Sequence, residues 1–205
     1  MAKVKFTKGE LKRQRDALRQ YERYLPTLQL KKQQLQMEIM HQAALLEEKT
    51  RLFEAKKKSV MSWSGLLSEA PEAFRSWTEA TQVLTQKKNI AGLDIGLFEH
   101  AQFPTADYDL FTTPLWVDNG IEAARGLVAL AEEIRLIKKG VQLLHVELRI
   151  TNQRVNLFEK VKIPEAKETI RLIKIYIGDQ MTNAVGRCKI AKRKLEDVAL
   201  EEALV

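Results

Sequence analysis

This 205-residue chain is short of the residues from which disulfide-stapled, sheet-rich or catalytic proteins are built. Its one cysteine, Cys188, leaves no internal disulfide to form and suits a reducing compartment. Nine glycines, five prolines and 7% aromatic residues fit helix better than sheet. No apolar run approaches the roughly 18 residues of a membrane span, so no direct membrane insertion is expected. The Lys-rich start lacks the apolar stretch of a secretory signal, which points to the cytoplasm.

Candidate chemistry is equally sparse. His41, His100 and His145 have no cysteine or carboxylate at ligand spacing, so no metal site is expected. Gly92 and Gly96 precede Leu97-Phe98 rather than the Lys-Ser/Thr of a phosphate loop, and no cofactor is implied. The adjacent pairs Glu47-Glu48 and Glu132-Glu133 diverge by about 100° on a helix and cannot converge on one substrate. No serine–histidine–acid arrangement can be argued. The chain therefore reads as a non-enzyme with no catalytic residue.

What the chain does have is two long apolar seams. Leu11, Leu18, Leu25, Ile39, Leu46 and Phe53 fall on one heptad register that only Lys32 interrupts. Three residues further on lie Gln14, Tyr21, Leu28, Leu35, Gln42 and Lys49. The second seam places Leu127, Ile134, Val141, Leu148 and Val155 in register, with Leu130, Ile137, Leu144, Thr151 and Phe158 beside them. It continues less regularly through Ile170, Ile173 and Ile177. Such spacing requires each helix to bury a narrow stripe against another helix. The expected fold is mainly α: an antiparallel two-helix coiled coil formed by the terminal helices. Its polar seam positions restrict register or face a third partner.

Element boundaries follow from local signals. Thr7-Lys8-Gly9-Glu10 reads as a capping box that opens the first helix. Pro26 removes one hydrogen bond inside it. We expect residues 1–60 to form this helix. Residues 61–118 should hold a short helix from Pro71 to about Gln86, followed by a β-hairpin. The two strands are expected at 89–98 and 108–117, with His100 in the loop between them. Asn119 with Glu122 should cap the last helix, 119–205, kinked near Pro164. Trp63, Trp77 and Trp116 read as packing anchors, and Cys188 as a residue packed on an apolar stripe.

Charge divides the chain. Residues 1–60 carry 15 basic and 7 acidic groups, residues 61–159 carry 9 and 13, and residues 160–205 carry 10 and 7. In an antiparallel pair the two basic ends would share one tip. Its members are Lys3, Lys5, Lys8, Lys12, Arg13, Arg15, Arg187, Lys189, Lys192, Arg193 and Lys194. Such a tip would favour an acidic protein surface, anionic lipid or nucleic acid.

One block is more specific. Arg154-Val155-Asn156-Leu157-Phe158-Glu159-Lys160-Val161-Lys162-Ile163-Pro164, followed by Thr169-Ile170-Arg171 and basic residues at 187–194, resembles the D subunit of the V-type and archaeal-type rotary ATPases. The basic stretch from Thr7 to Lys32 and the Ala91-Gly92-Leu93 segment are similar to that family in matching order. Phe158 stands where the family usually has leucine. Gly178 to Asn183 is poorer in charge than the family's acidic, arginine-containing stretch.

The resemblance implies a central rotor shaft that carries torque between ATP hydrolysis or synthesis and ion translocation through a membrane ring. It implies contacts with catalytic and non-catalytic head subunits A and B, with the small F subunit of the stalk, and with the protein capping the ring. The chain would be peripheral to the membrane, with its basic tip against acidic loops in the head. A basic helical nucleic-acid-binding protein and a scaffold coiled coil remain as alternatives.

Overall fold

A computed structural model describes residues 5–109 and 111–203. The elements in order are α1 (Lys8–Met61), a 3₁₀ turn (Ser64–Glu69), α2 (Phe74–Thr78), β1 (Gln82–Ile90), β2 (Leu93–Gln102), α3 (Val117–Leu157), a π-helical turn (Phe158–Lys162) and α4 (Ile163–Ala203). The mainly α reading, with long terminal helices and a small antiparallel hairpin between them, holds. Contacts group the chain into two compact units. One joins the residues up to Gln29 with those from Asn152 onward, and the other is Leu30–Thr151.

Helix α1 starts as its capping box suggests, with the Glu10 amide donating to Thr7 Oγ1 at 3.2 Å. The Glu10 carboxylate does not return the bond; it accepts from Gln14 Nε2 at 2.8 Å. The helix runs unbroken through Pro26. At the other proline the chain adapts differently. The Ile163 amide reaches back five residues to the Phe158 carbonyl, making the π-helical turn just before Pro164. A widened turn admits the extra residue where the proline ring would otherwise press on the carbonyl four residues back. The chain continues directly through this bulge into α4.

Within Leu30–Thr151, α1 and α3 are joined by two ion pairs, Lys31 to Glu147 at 2.6 Å and Lys49 to Glu133 at 2.8 Å. As the α1 partner advances in sequence the α3 partner retreats, so the helices run antiparallel. Leu35 and Leu144 are fully buried together with Ile95 of β2, and Ile39, Leu93 and Leu148 pack around them. Leu46 is half-buried. Two seam positions are polar yet buried, Gln42 and Thr151. Gln42 Nε2 meets the need of its buried amide by donating to Glu38 Oε1 at 2.9 Å.

The hairpin exists but sits elsewhere than expected. Strands pair from Gln82 opposite Gln102 to Ile90 opposite Leu93, with a bulge at Leu84/Thr85. Ala91 (φ 52°) and Gly92 (φ 86°) make the tight turn, a left-handed pair that matches the strand twist. Asn89 braces it, its Oδ1 accepting from the Gly92 amide at 3.2 Å and its Nδ2 donating to Asp94 at 2.6 Å. The run 89–98 is thus the end of β1, the turn and the first part of β2. His100 lies in β2 opposite Leu84 rather than in a loop.

The other expected strand, 108–117, is not seen among the described residues, and 111–116 make turns and a bend before α3 begins at Val117; Leu110 lies outside the described residues. The helix expected to reach Gln86 stops at Thr78, because β2 captures residues 82–90 as its partner strand. The hairpin is seated through Ile95. A Cβ built on Gly140 of α3 would lie 2.8 Å from Ile95 Cγ2, so only glycine leaves room for it.

Candidate interaction surface of the terminal helices

The first unit pairs the start of α1 with α4. Tyr21 stacks on Phe158 at 5.3 Å, Glu22 reaches Lys167 at 3.4 Å, and Phe6 meets Tyr176 at 5.2 Å. These contacts again run antiparallel. The stripe that faces the partner is Val155, Ala166, Ile170 and Ile173, all buried, with Phe158 and Ile177 half-buried. From α1 it meets Leu11, Leu18, Leu25 and Leu28, each half-buried. Exposed outer faces carry local ion pairs. Arg171 donates twice to Glu168, at 2.6 and 2.9 Å. That hydrogen bonding holds the Glu168 carboxyl below its ordinary pKa and raises the Arg171 guanidinium above its own.

Beyond Ile177 the environment changes. From Gly178 to Asp197 every residue of α4 is exposed except the half-buried Ala184. Apolar side chains are not spared: Met181, Val185, Ile190 and Leu195 are 52%, 56%, 61% and 71% exposed. Cys188, expected to pack on an apolar stripe, is exposed as well. The stripe persists in sequence, but among the described residues nothing lies against it. From Tyr176, opposite Phe6, α4 continues for roughly 40 Å at about 1.5 Å per residue.

The basic residues divide along this helix. Lys5, Lys8, Lys12, Arg13 and Arg15 are exposed at the level of the paired stretch. Arg187, Lys189, Lys192, Arg193 and Lys194 are exposed further out on the uncovered part of α4. Among the described residues the two groups are therefore stacked along the axis rather than side by side, with the outer one on α4. Lys3 lies outside the described residues. Few of these cations are engaged: Arg13 approaches Glu10 at 3.8 Å and Lys192 approaches Glu196 at 3.6 Å.

Among the described residues, no group of three or more His, Cys, Asp or Glu side chains is placed to hold a metal ion. No helix among them is long and apolar enough to cross a membrane. What this surface carries is apolar steps and cations alternating along one solvated helix.

The fold is that of a mainly helical protein with long terminal helices and a small antiparallel hairpin between them. Residues 10–193 match the model of a family described as the D subunit of ATP synthase. Among similar proteins is the V-type ATP synthase D subunit of Borreliella burgdorferi, 46% identical over 195 residues covering 95% of this chain and 96% of that one. The V-type ATP synthase D subunit of Chlamydia pneumoniae is 30% identical over 94% of this chain and 93% of its own. That of Chlamydia caviae is 29% identical over 95% of each. The chain belongs to the family of ATP synthase D subunits.

Proposed function

We propose that this chain is the central rotor shaft of a V-type ATP synthase, a non-catalytic component that passes torque between nucleotide chemistry in the head and ion movement through the membrane ring. The observation that carries the reading is the uncovered stretch of α4, Gly178 to Asp197, solvated on nearly every side yet striped with apolar and basic residues. A helix left bare in this way needs a surrounding partner, and the head subunits A and B are that partner. Contacts made by exposed cations are individually weak and screened by salt. That weakness suits a surface that exchanges neighbours at each step of a rotation. Lys5 to Arg15 form a second ring of contact nearer the paired stretch. The F subunit and the protein capping the ring are held by other parts of the chain, and the shaft is peripheral to the membrane.

The test replaces Arg187, Lys189, Lys192, Arg193 and Lys194 by glutamine together in the full chain. Assembly with purified head subunits should become weaker and less dependent on salt, and coupled ATP turnover should fall. Unchanged assembly and unchanged turnover would remove the electrostatic role. Separately, affinity purification from membranes with intact complexes should recover the head subunits with this chain, and their absence would overturn the shaft reading.

A further inference from the structure

The uncovered part of α4 carries a regular seam on a backbone poorly suited to hold it. Met181, Ala184, Cys188, Ala191 and Leu195 follow at alternating three- and four-residue steps, a heptad stripe that exists only while the segment is helical. Yet the run from Gly178 to Gly186 includes Gly178, Asp179, Thr182, Asn183, Val185 and Gly186, all weak helix formers. An added Cβ at Gly178 or Gly186 would meet nothing within 4 Å, so among the described residues no close approach accounts for either glycine. The Thr182 hydroxyl donates to the Gly178 carbonyl at 3.1 Å, a local bond that competes with the helix ladder.

Packing does not offset this weakness. Helices in proteins owe most of their stability to a packed face. Ala166, Ile170 and Ile173 supply one to the earlier part of α4, all of them buried. From Gly178 to Asp197 only Ala184 is even half-buried. Charge does not offset it either. Lys189 stands three and four residues before Lys192 and Arg193, spacings at which like charges destabilise a helix. Lys192 approaches Glu196 at 3.6 Å, but both side chains are well exposed and such a pair contributes little.

We infer that residues 178–197 are largely unfolded in the free chain and become helical as a partner covers the stripe. The positions flanking the seam include Arg187, Lys192 and Lys194, and flanking charge selects the partner of a heptad helix. A second copy would set these cations against their equals, so self-pairing does not complete the fold. The partner is the pair of head subunits, A and B; this choice rests on the rotor-shaft reading above. Folding on contact has a consequence for that role. The ordering cost offsets part of the contact energy, which keeps an extensive surface releasable.

The experiment follows amide hydrogen exchange in the full chain, alone and with purified A and B subunits. Alone, residues 178–197 should exchange within about tenfold of an unstructured peptide, while 166–177 are protected at least about a hundredfold. Adding the head subunits should slow exchange over 178–197 by at least about tenfold. Two double variants test the coupling, Gly178→Ala with Gly186→Ala and Thr182→Ala with Asn183→Ala. Each favours the helix in advance and should tighten head binding about fivefold or more. The tightening should match a rise in free-chain protection, a match that a new contact with the head would not produce. Two results would overturn the inference while leaving the shaft reading in place: free-chain protection of 178–197 equal to that of 166–177, or variants that raise protection without tightening binding. A parent chain that binds no head subunit would instead overturn the shaft reading and with it the choice of partner, whereas exchange in the free chain reads the unfolding on its own.

Discussion

Helix α4 contains two stretches of like pattern and unlike fate. From Ala166 to Ile177 the stripe Ala166, Ile170, Ile173 and Ile177 recurs at three- and four-residue steps and is buried or half-buried, while Leu172 and Ile175, off the stripe, are exposed. From Met181 to Leu195 the apolar steps continue and the side chains stand in solvent. Periodicity is a property of one helix, whereas burial is a property of two. A stripe thus records that a helix expects a partner, without recording whether the partner belongs to the same chain. In a family of ATP synthase components, a stripe left open is a place to look for a neighbouring protein of the complex.

The contrast is broken most forcefully by deleting equal apolar volume on each side of Ile177. Ile173 is fully buried, so Ile173→Ala should cost about 2–5 kcal/mol in a denaturant titration. Ile190 is 61% exposed, and Ile190→Ala should change stability by no more than about 0.5 kcal/mol. Equal costs would mean that Ile190 has a partner within the chain. The same Ile190→Ala variant should weaken association with the head subunits if the proposed role is correct.

Glycines sharpen the contrast at a smaller scale. Gly140 lies on a covered face of α3, where an added Cβ would come 2.8 Å from Ile95 Cγ2. That methyl is carried on a β-branched side chain with little freedom to swing aside. Gly140→Ala should therefore destabilise by about 1–3 kcal/mol through overpacking, less about 1 kcal/mol of improved helix propensity. The net is a lower unfolding midpoint. Combining it with Ile95→Ala, which removes the obstructing methyl, should give markedly less than the sum of the two single losses. Simple additivity would show that the hairpin is not seated in the Gly140 notch.

The same distinction between one helix and two explains what could be read from the sequence. The heptad positions of both seams were legible because they depend on local spacing alone. Among the named seam residues Leu35, Gln42, Ile134, Ile137, Leu144, Thr151, Val155, Ile170 and Ile173 are buried, and the others are half-buried. The family was legible from the Arg154–Pro164 block. The hairpin was legible as a kind of element but not in position. Its turn is Ala91-Gly92 instead of the usual Asn-Gly, and β1 is polar from Thr85 to Asn89, so it resembled the tail of a helix. Tyr108 to Val117 looked like a strand because its aromatic residues serve packing, Trp116 against Trp63 and Phe74 and Tyr108 against Trp77, a tertiary use with no period. Cys188 was misjudged because its stripe is real, but among the described residues nothing covers it.

The smallest expected effect lies at the junction between the two stretches. Gly178 immediately follows the last half-buried seam residue, Ile177, and a Cβ there would meet nothing within 4 Å. With no packing to hold it, the stretch beyond depends on intrinsic helix propensity, and isolated helices of about this length are marginal in water. Glycine lowers that propensity by about 1 kcal/mol relative to alanine. Gly178→Ala should slow amide hydrogen exchange over residues 178–197 while leaving exchange over 163–177 and the global unfolding midpoint unchanged. The opposite result, protection rising only in the paired stretch, would mean that the two parts of α4 unfold as one unit. In that case the glycine would not mark the boundary between a stretch stabilised by packing and one stabilised by its own backbone.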